Sequence, residues 1–223
     1  MAAVLAHELR NPLASLKGHA QLLARMLPTD GKEAQKADRV VAEATRMERL
    51  TTDLLDFARS AALRRASVDP TALLRASVEG LGAAVALDVD AAPARWSLDP
   101  QRMRQALDNV LRNAIQASPE GVEARARIAV ERGRLVFEIE DEGPGIAEAE
   151  LEQIFAPFHT RRVRGTGLGL AVARRVVEQH GGTIIASNRP EGGARFVIEV
   201  PAGAPATPDH ESRPPIETPP DGS

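Results

Sequence analysis

Asp141-Glu142-Gly143-Pro144-Gly145 and Gly165-Thr166-Gly167-Leu168-Gly169-Leu170 are the two stretches whose reading decides the fold. The first directly follows residues 135–140, which alternate as a strand does. The second opens residues 168–180, which read as a helix stopped by Gly181-Gly182. An aspartate at a strand end can accept a hydrogen bond from an exocyclic amine such as that of adenine. Two nearby glycines let the backbone turn and approach a flat ligand closely. Main-chain N–H groups at a glycine-rich helix start can cradle phosphate oxygens, and the helix dipole favours their charge. Taken singly, each motif is also ordinary turn chemistry or a flexible loop before a helix. The second departs from the dinucleotide fingerprint, because it does not follow a strand and spaces its glycines differently.

Between the two stretches, residues 146–164 read as a lid. Ile154-Phe155-Ala156-Pro157-Phe158 supplies apolar side chains to pack over a site, and Thr160, Arg161, Arg162 and Arg164 suit phosphate contacts. A solvated basic loop is the plainer alternative. Upstream, Asn109 and Asn113 lie four apart, so they share one face of the helix that Asp99-Pro100 starts and that runs to about residue 117. Asparagine is a poor helix former, yet its carbonyl is a hard neutral oxygen suited to Mg²⁺ that bridges phosphates. Asp69-Pro70 caps another helix, to about residue 79. Residues 85–89, 95–98, 125–130, 183–187 and 195–200 read as further strands, with a turn at Gly133. Residues 67–201 are therefore expected to form an α+β layer sandwich.

The N-terminal part differs. Leu5, Leu9, Leu13, Leu16, Leu23 and Leu27 mark one apolar stripe over a helix at residues 2–27, and Pro12 is expected to kink it just after His7. Pro28-Thr29-Asp30-Gly31 is a turn. Val40, Ala44, Met47, Thr51, Leu54 and Ala58 follow four-three spacing over a second helix at residues 32–60. One helical hairpin lacks partners for all its apolar faces, so two are expected to form a dimeric four-helix bundle. The alternative is a hairpin packed on its own C-terminal domain.

The first helix carries His7-Glu8-Leu9-Arg10-Asn11-Pro12-Leu13. A nucleophilic imidazole stands beside a carboxylate, with the Asn11 amide one turn on. Such a set can accept a phosphoryl group and later position the water that removes it. His19, His180 and His210 have no acid or second ligand within sequence reach and read as surface or helix-end residues.

Composition narrows the classes. A net charge of -3 gives no global attraction to nucleic acid or an anionic membrane. The absence of cysteine removes disulfides and thiolate metal sites. No apolar run is long enough to span a bilayer and no signal peptide is evident, so a cytoplasmic chain without direct membrane contact is expected. Residues 202–223 hold six prolines and few large apolar side chains, and are expected to be disordered. Only six residues precede His7, so the reading is of a core separated from a longer protein, whose parent can be membrane-anchored.

Together these residues resemble the sensor histidine kinases of two-component systems. Asn109 to Ala114 is similar to their N-box, Asp141 to Gly145 to the G1 box, Phe155 to Phe158 to the F-box, and Gly165 to Gly169 to the G2 box. The same boxes link them to the wider Bergerat-fold ATPases, which include gyrase, MutL and the heat-shock chaperones. His7 to Leu13 resembles the H-box of the dimerisation and phosphoacceptor domain. The resemblance implies a hairpin at 1–62, an ATP-binding domain at 67–201 and a tail at 202–223. It implies ATP and Mg²⁺ as cofactors, with Asn113 on the metal and Asn109 beside it. Asp141 reads adenine. Gly143, Gly145, Phe155, Thr160, Arg162, Gly165, Thr166, Gly167, Leu168 and Gly169 complete the nucleotide site. His7 attacks the γ-phosphorus, Glu8 takes up its proton, and Asn11 serves a phosphatase reaction. The partners implied are a second copy and the receiver domain of a response regulator.

Hydrolysing members of the superfamily generally place a glutamate at the position of Asn109, and a neutral amide is a poor general base. This and the H-box weigh against the alternative of a Bergerat-type ATPase, and the intact boxes weigh against that of a non-catalytic dimeric signalling scaffold. Glu142, His159 and Arg162 depart from the residues most frequent at their places in the kinases.

Overall fold

The computed structural model describes residues 2–27, 31–58, 62–82, 85–160 and 166–203. Its first part is a pair of packed helices, α1 (Ala2–Met26) and α2 (Lys32–Ala58). α1 runs on through Pro12 without a break in its assignment. Small side chains form the seam, with Ala20, Ala34 and Ala44 all buried. Lys17 Nζ meets Glu48 Oε2 at 2.8 Å across the pair. The larger apolar residues stay outside: Leu16, Leu22, Leu23, Val40, Met47 and Leu54 are 45–58% exposed in the single chain. Of the seam expected on α2, Ala44 is buried, whereas Val40, Met47 and Leu54 on the same four-three stripe are half exposed in the single chain. Alanine permits close helix approach, and the bulkier residues of the stripe are only partly covered by one partner helix. The side chains of Leu5, Leu9, Leu13 and Ala58, and the turn at 28–30, lie outside the described residues.

The second part contains β1 (Ala66–Val68), α3 (Pro70–Leu81), β2 (Val85–Ala91), β3 (Trp96–Leu98), α4 (Pro100–Ala117), β4 (Ala124–Glu131), β5 (Arg134–Glu140), α5 (Gly169–Gln179), β6 (Thr183–Asn188) and β7 (Ala194–Pro201). β1, too short to show a period, was not expected from the sequence; it pairs antiparallel with β3, Ala66 opposite Leu98. The main sheet runs β2-β4-β5-β7-β6. β2 and β4 are parallel, with α4 in their crossover, and the other pairs are antiparallel. Arg132 and Gly133 both have positive φ, 51° and 73°, as a two-residue primed hairpin turn requires.

α4 and α5 supply Leu107, Val110, Leu111, Val172 and Val176 to a core that also holds Ile128, Phe137, Ile139, Phe196 and Ile198 of the sheet. The sheet also carries charge pairs, such as Arg195 Nη2 to Glu138 Oε2 at 2.7 Å. That alternation along β4, β5 and β7 is the period-2 signal read in the sequence.

α4 begins at a crowded joint. Asp99 Oδ1 accepts from the Arg102 N–H at 3.1 Å and Oδ2 from the Arg64 N–H at 2.8 Å. The Asp99 N–H donates to His180 Nε2 at 3.0 Å. His180 Nδ1 lies 2.8 Å from the Val176 carbonyl oxygen, so its proton sits on Nδ1 and the ring is neutral. Burial lowers the pKa of this imidazole below its ordinary value; the Arg65 guanidinium adds to that, while the Val176 bond and the Asp99 charge oppose it. His180 therefore has a helix-end role, and it is fully buried. The chain arriving from the hairpin is thereby tied to the start of α4 and the end of α5.

Candidate functional site

A cleft of about 520 Å³ lies where the end of β5 meets α4 and the start of α5. Asp141 follows β5 and is almost fully buried. Its Oδ1 accepts from the Gly143 N–H at 2.9 Å and the Ala194 N–H at 3.0 Å. Its backbone N–H donates to the Ala194 carbonyl at 2.9 Å. Two main-chain donors thus orient one carboxylate oxygen in a side chain that lines the cleft. The loop then passes Pro144, Gly145 and Ile146, which line the same wall.

Asn109 and Asn113 also line the cleft, from successive turns of α4. The four-residue spacing places them there, as the sequence predicted. Asn109 lies against Gly169, at the start of α5. Thr166 and Gly167 precede that start and also line the cleft. Gly167 has φ of 68°, and a Cβ there would lie 2.5 Å from the Phe158 carbonyl carbon, so the lid and the glycine loop touch only because the residue is glycine. Phe158 is itself at φ 65°. His159 follows it, lines the cleft, and keeps Nε2 buried without a hydrogen-bond partner.

Of the expected nucleotide residues, the cleft gathers Asn109, Asn113, Asp141, Gly145, Thr160, Thr166, Gly167 and Gly169. Three stand elsewhere. Gly143 packs on Ala117, behind the loop. Leu168 is fully buried beneath the start of α5. Phe155, expected to close over the site, instead enters the core, with the Arg174 guanidinium 5.9 Å from its ring centre. A short 3₁₀ turn at Gln153–Phe155 directs it inward, while Phe158 is exposed. The aromatic residue nearest the interior gains most from burial, so the lid is anchored by Phe155 rather than covering the cleft with it. Arg162 and Gly165 lie outside the described residues. So do the side chains of His7, Glu8 and Asn11, whose backbone belongs to α1.

Sequence reasoning missed Arg112 and Gln116, each three residues from a cleft asparagine and thus on the same helix face. It also missed Glu150, His159 and Ala194, which only the fold brings in. Among the described residues, no group of three or more acidic, histidine or cysteine side chains is set to hold a metal. Asn109 and Asn113 bring neutral amide oxygens to the cleft, which the Asp141 and Glu150 carboxylates also line. No helix among the described residues is long and apolar enough to cross a membrane.

Residues 98–204 match the family model of histidine kinase-, DNA gyrase B- and HSP90-like ATPases, and residues 1–63 match that of the His Kinase A (phospho-acceptor) domain. The chain is 39% identical over 209 residues to the sensor histidine kinase ZraS of Klebsiella oxytoca, covering 90% of this chain and 45% of that protein. It thus spans about half the length of the curated relatives it matches. Its structure is similar to that of full-length ShkA in complex with AMPPNP, with TM-score 0.72, 30% identity, and 92% and 46% of the two chains covered. It is also similar to histidine kinase ThkA in complex with the response regulator protein TrrA, with TM-score 0.66, 26% identity, and 91% and 61% covered. With both domain models matched in this order over more than half of its residues, the chain belongs to the sensor histidine kinases.

Proposed function

We propose that the chain is an ATP-dependent protein-histidine autokinase core that phosphorylates His7 and passes the phosphoryl group to an aspartate of a response regulator. The observation that carries this reading is the cleft itself. The oriented Asp141 carboxylate, the asparagine pair and the glycine-rich start of α5 line one cavity of a size suited to a small ligand.

In this reading Asp141 accepts from the exocyclic amine of adenine. The backbone of residues 166–169 receives phosphate oxygens at the positive end of α5. Thr160 and the lid arginines, Arg162 among them, neutralise phosphate charge. Asn113, with Asn109 beside it, would hold Mg²⁺; hard amide oxygens suit that ion. When bound, the ion supplies charge neutralisation on the transferring group. His7 attacks the γ-phosphorus through a ring nitrogen; the N–P bond forms as the bond to the ADP oxygen breaks, and Glu8 accepts the imidazole proton. Asn11, one turn after His7, orients the water that dephosphorylates the regulator. Asn109, an amide where hydrolysing relatives need a base, keeps uncoupled hydrolysis slow.

We divide the chain into a hairpin at 1–62, an ATP-binding domain at 67–201 and a tail at 202–223. The exposed Leu16, Leu23, Val40 and Met47 support a homodimer in which a second hairpin covers them. The response-regulator complex of ThkA and the AMPPNP complex of ShkA support the partner and the nucleotide assigned to this chain.

Incubation with Mg²⁺ and γ-labelled ATP tests the proposal. Acid-labile, alkali-stable label is expected on the wild type and absent from His7→Gln, which should still bind ATP. Label that survives His7→Gln sinks the assignment of His7; a wild type that hydrolyses ATP without retaining label sinks the kinase.

A further inference from the structure

The loop from Asp141 to Ile146 is held at both ends by two consecutive residues that lie about forty positions further along the chain. Arg189 Nη1 donates to the Asp141 carbonyl oxygen at 2.9 Å. Its side chain is only 9% exposed and sits between two carboxylates, with Nε 3.4 Å from Glu140 Oε2 and Nη1 3.9 Å from Glu142 Oε1. Asn188 takes the other end with both halves of its amide. Oδ1 accepts from the Ile146 N–H at 2.8 Å, and Nδ2 donates to the Ile146 carbonyl at 2.7 Å.

The clasp shapes the residue between. Gly145 has φ of 76°, and a Cβ there would lie 2.8 Å from Asn188 Oδ1, so the amide fills the space a side chain needs. Behind the clasp, the turn is itself closed: the Arg189 N–H donates to the Gly193 carbonyl at 3.0 Å and the Gly192 N–H to the Arg189 carbonyl at 3.1 Å. The next residue, Ala194, is the one whose N–H orients Asp141 Oδ1. One short turn between β6 and β7 therefore fixes the Asp141 carboxylate, the Asp141 carbonyl and the Ile146 backbone at once. A peptide loop of Gly-Pro-Gly composition has no ladder of its own to hold it.

We infer that Asn188 and Arg189 are positioning residues for nucleobase recognition: they fix the spacing between the Asp141 carboxylate and the Gly145-Ile146 wall, and so the discrimination of an aminopurine from an oxopurine. Neither touches the base. The inference rests on the proposed reading of the cleft as a nucleotide site. It concerns the base end alone and leaves the phosphate-side residues unaffected.

Two measurements on the full chain test it. Amide hydrogen exchange at Ile146, without nucleotide, is expected to speed up roughly tenfold in Asn188→Ala, the scale of one or two net hydrogen bonds. Competition between ATP and GTP against a fluorescent ATP analogue gives the second. In Asn188→Ala and Arg189→Gln the preference for ATP over GTP is expected to shrink roughly tenfold, chiefly through weaker ATP binding. A uniform loss for both nucleotides, or an unchanged preference, overturns the inference and leaves the clasp as scaffolding only. Unaltered exchange at Ile146 overturns it independently of any nucleotide. A wild type that binds neither nucleotide, with the exchange effect intact, instead overturns the nucleotide reading of the cleft.

Discussion

The hairpin and the sandwich solve the burial problem differently. The sandwich carries Leu107, Phe137, Phe196 and Ile198 at zero exposure. Among the described residues, the hairpin's buried hydrophobic side chains are Ala20, Ala34 and Ala44, while Leu16, Leu22, Leu23 and Met47 are about half exposed. A domain of mixed helix and sheet closes a core within one chain. Two helices have only one mutual seam, and an apolar stripe wider than that seam requires another molecule. The difference separates a part whose core closes within one chain from a part that leaves large apolar side chains exposed there, as the proposed homodimer requires.

The largest expected effect removes the sandwich's advantage. Phe196→Ala opens a cavity in its centre and should cost about 3–5 kcal/mol in urea unfolding. Leu23→Ala, on the exposed hairpin face, should cost little within one chain, because its side chain is 58% exposed there. Leu23→Glu should nevertheless weaken self-association, measured by sedimentation equilibrium, at least tenfold with ATP affinity preserved. An unchanged association constant would remove the hairpin face from the proposed dimer.

A smaller effect belongs to the cleft. Asp141→Asn keeps an oxygen for the Gly143 and Ala194 N–H groups but removes the charge facing the cavity. ATP affinity by calorimetry should fall roughly 10–100-fold, the worth of a hydrogen bond to a charged group. Dimerisation should stay as it was. A change in dimerisation would mean that the cleft and the hairpin are coupled, through the contact of α2 with α5.

The smallest effect lies at the joint between them. Burial holds the His180 pKa below its ordinary 6.5, and its bond from the Asp99 N–H needs the neutral ring. The unfolded chain binds this proton more readily, so the contribution is complete above about pH 6.5 and is lost as pH falls toward the lowered folded value. Thermal midpoints of the wild type should therefore decline more steeply below pH 6.5 than those of His180→Gln. Parallel profiles would show that His180 does not titrate on unfolding.

Much of this was legible in the sequence because it is local. Asp69-Pro70 and Asp99-Pro100 cap α3 and α4, with the Asp69 carboxylate accepting from the Thr71 and Ala72 N–H groups. Asn109 and Asn113 share a face by helix geometry alone. Phe155 was misplaced because a lid segment has no period, and whether an aromatic residue covers a cleft or anchors beneath it depends on which cavity the fold leaves. β1 escaped notice because three residues acquire strand character only from β3 beside them.

By itself the sequence determined the α+β class, the order of elements apart from β1, the helical hairpin and the family, since capping, periodicity and motif order are properties of neighbouring residues. Only the tertiary structure decided which residues share the cleft. It brought Asn188 and Arg189 to the Asp141 loop across more than forty positions, and Asp99 to His180 across 81. Such contacts are made by the closing of a sheet and its helices, and no local rule encodes them.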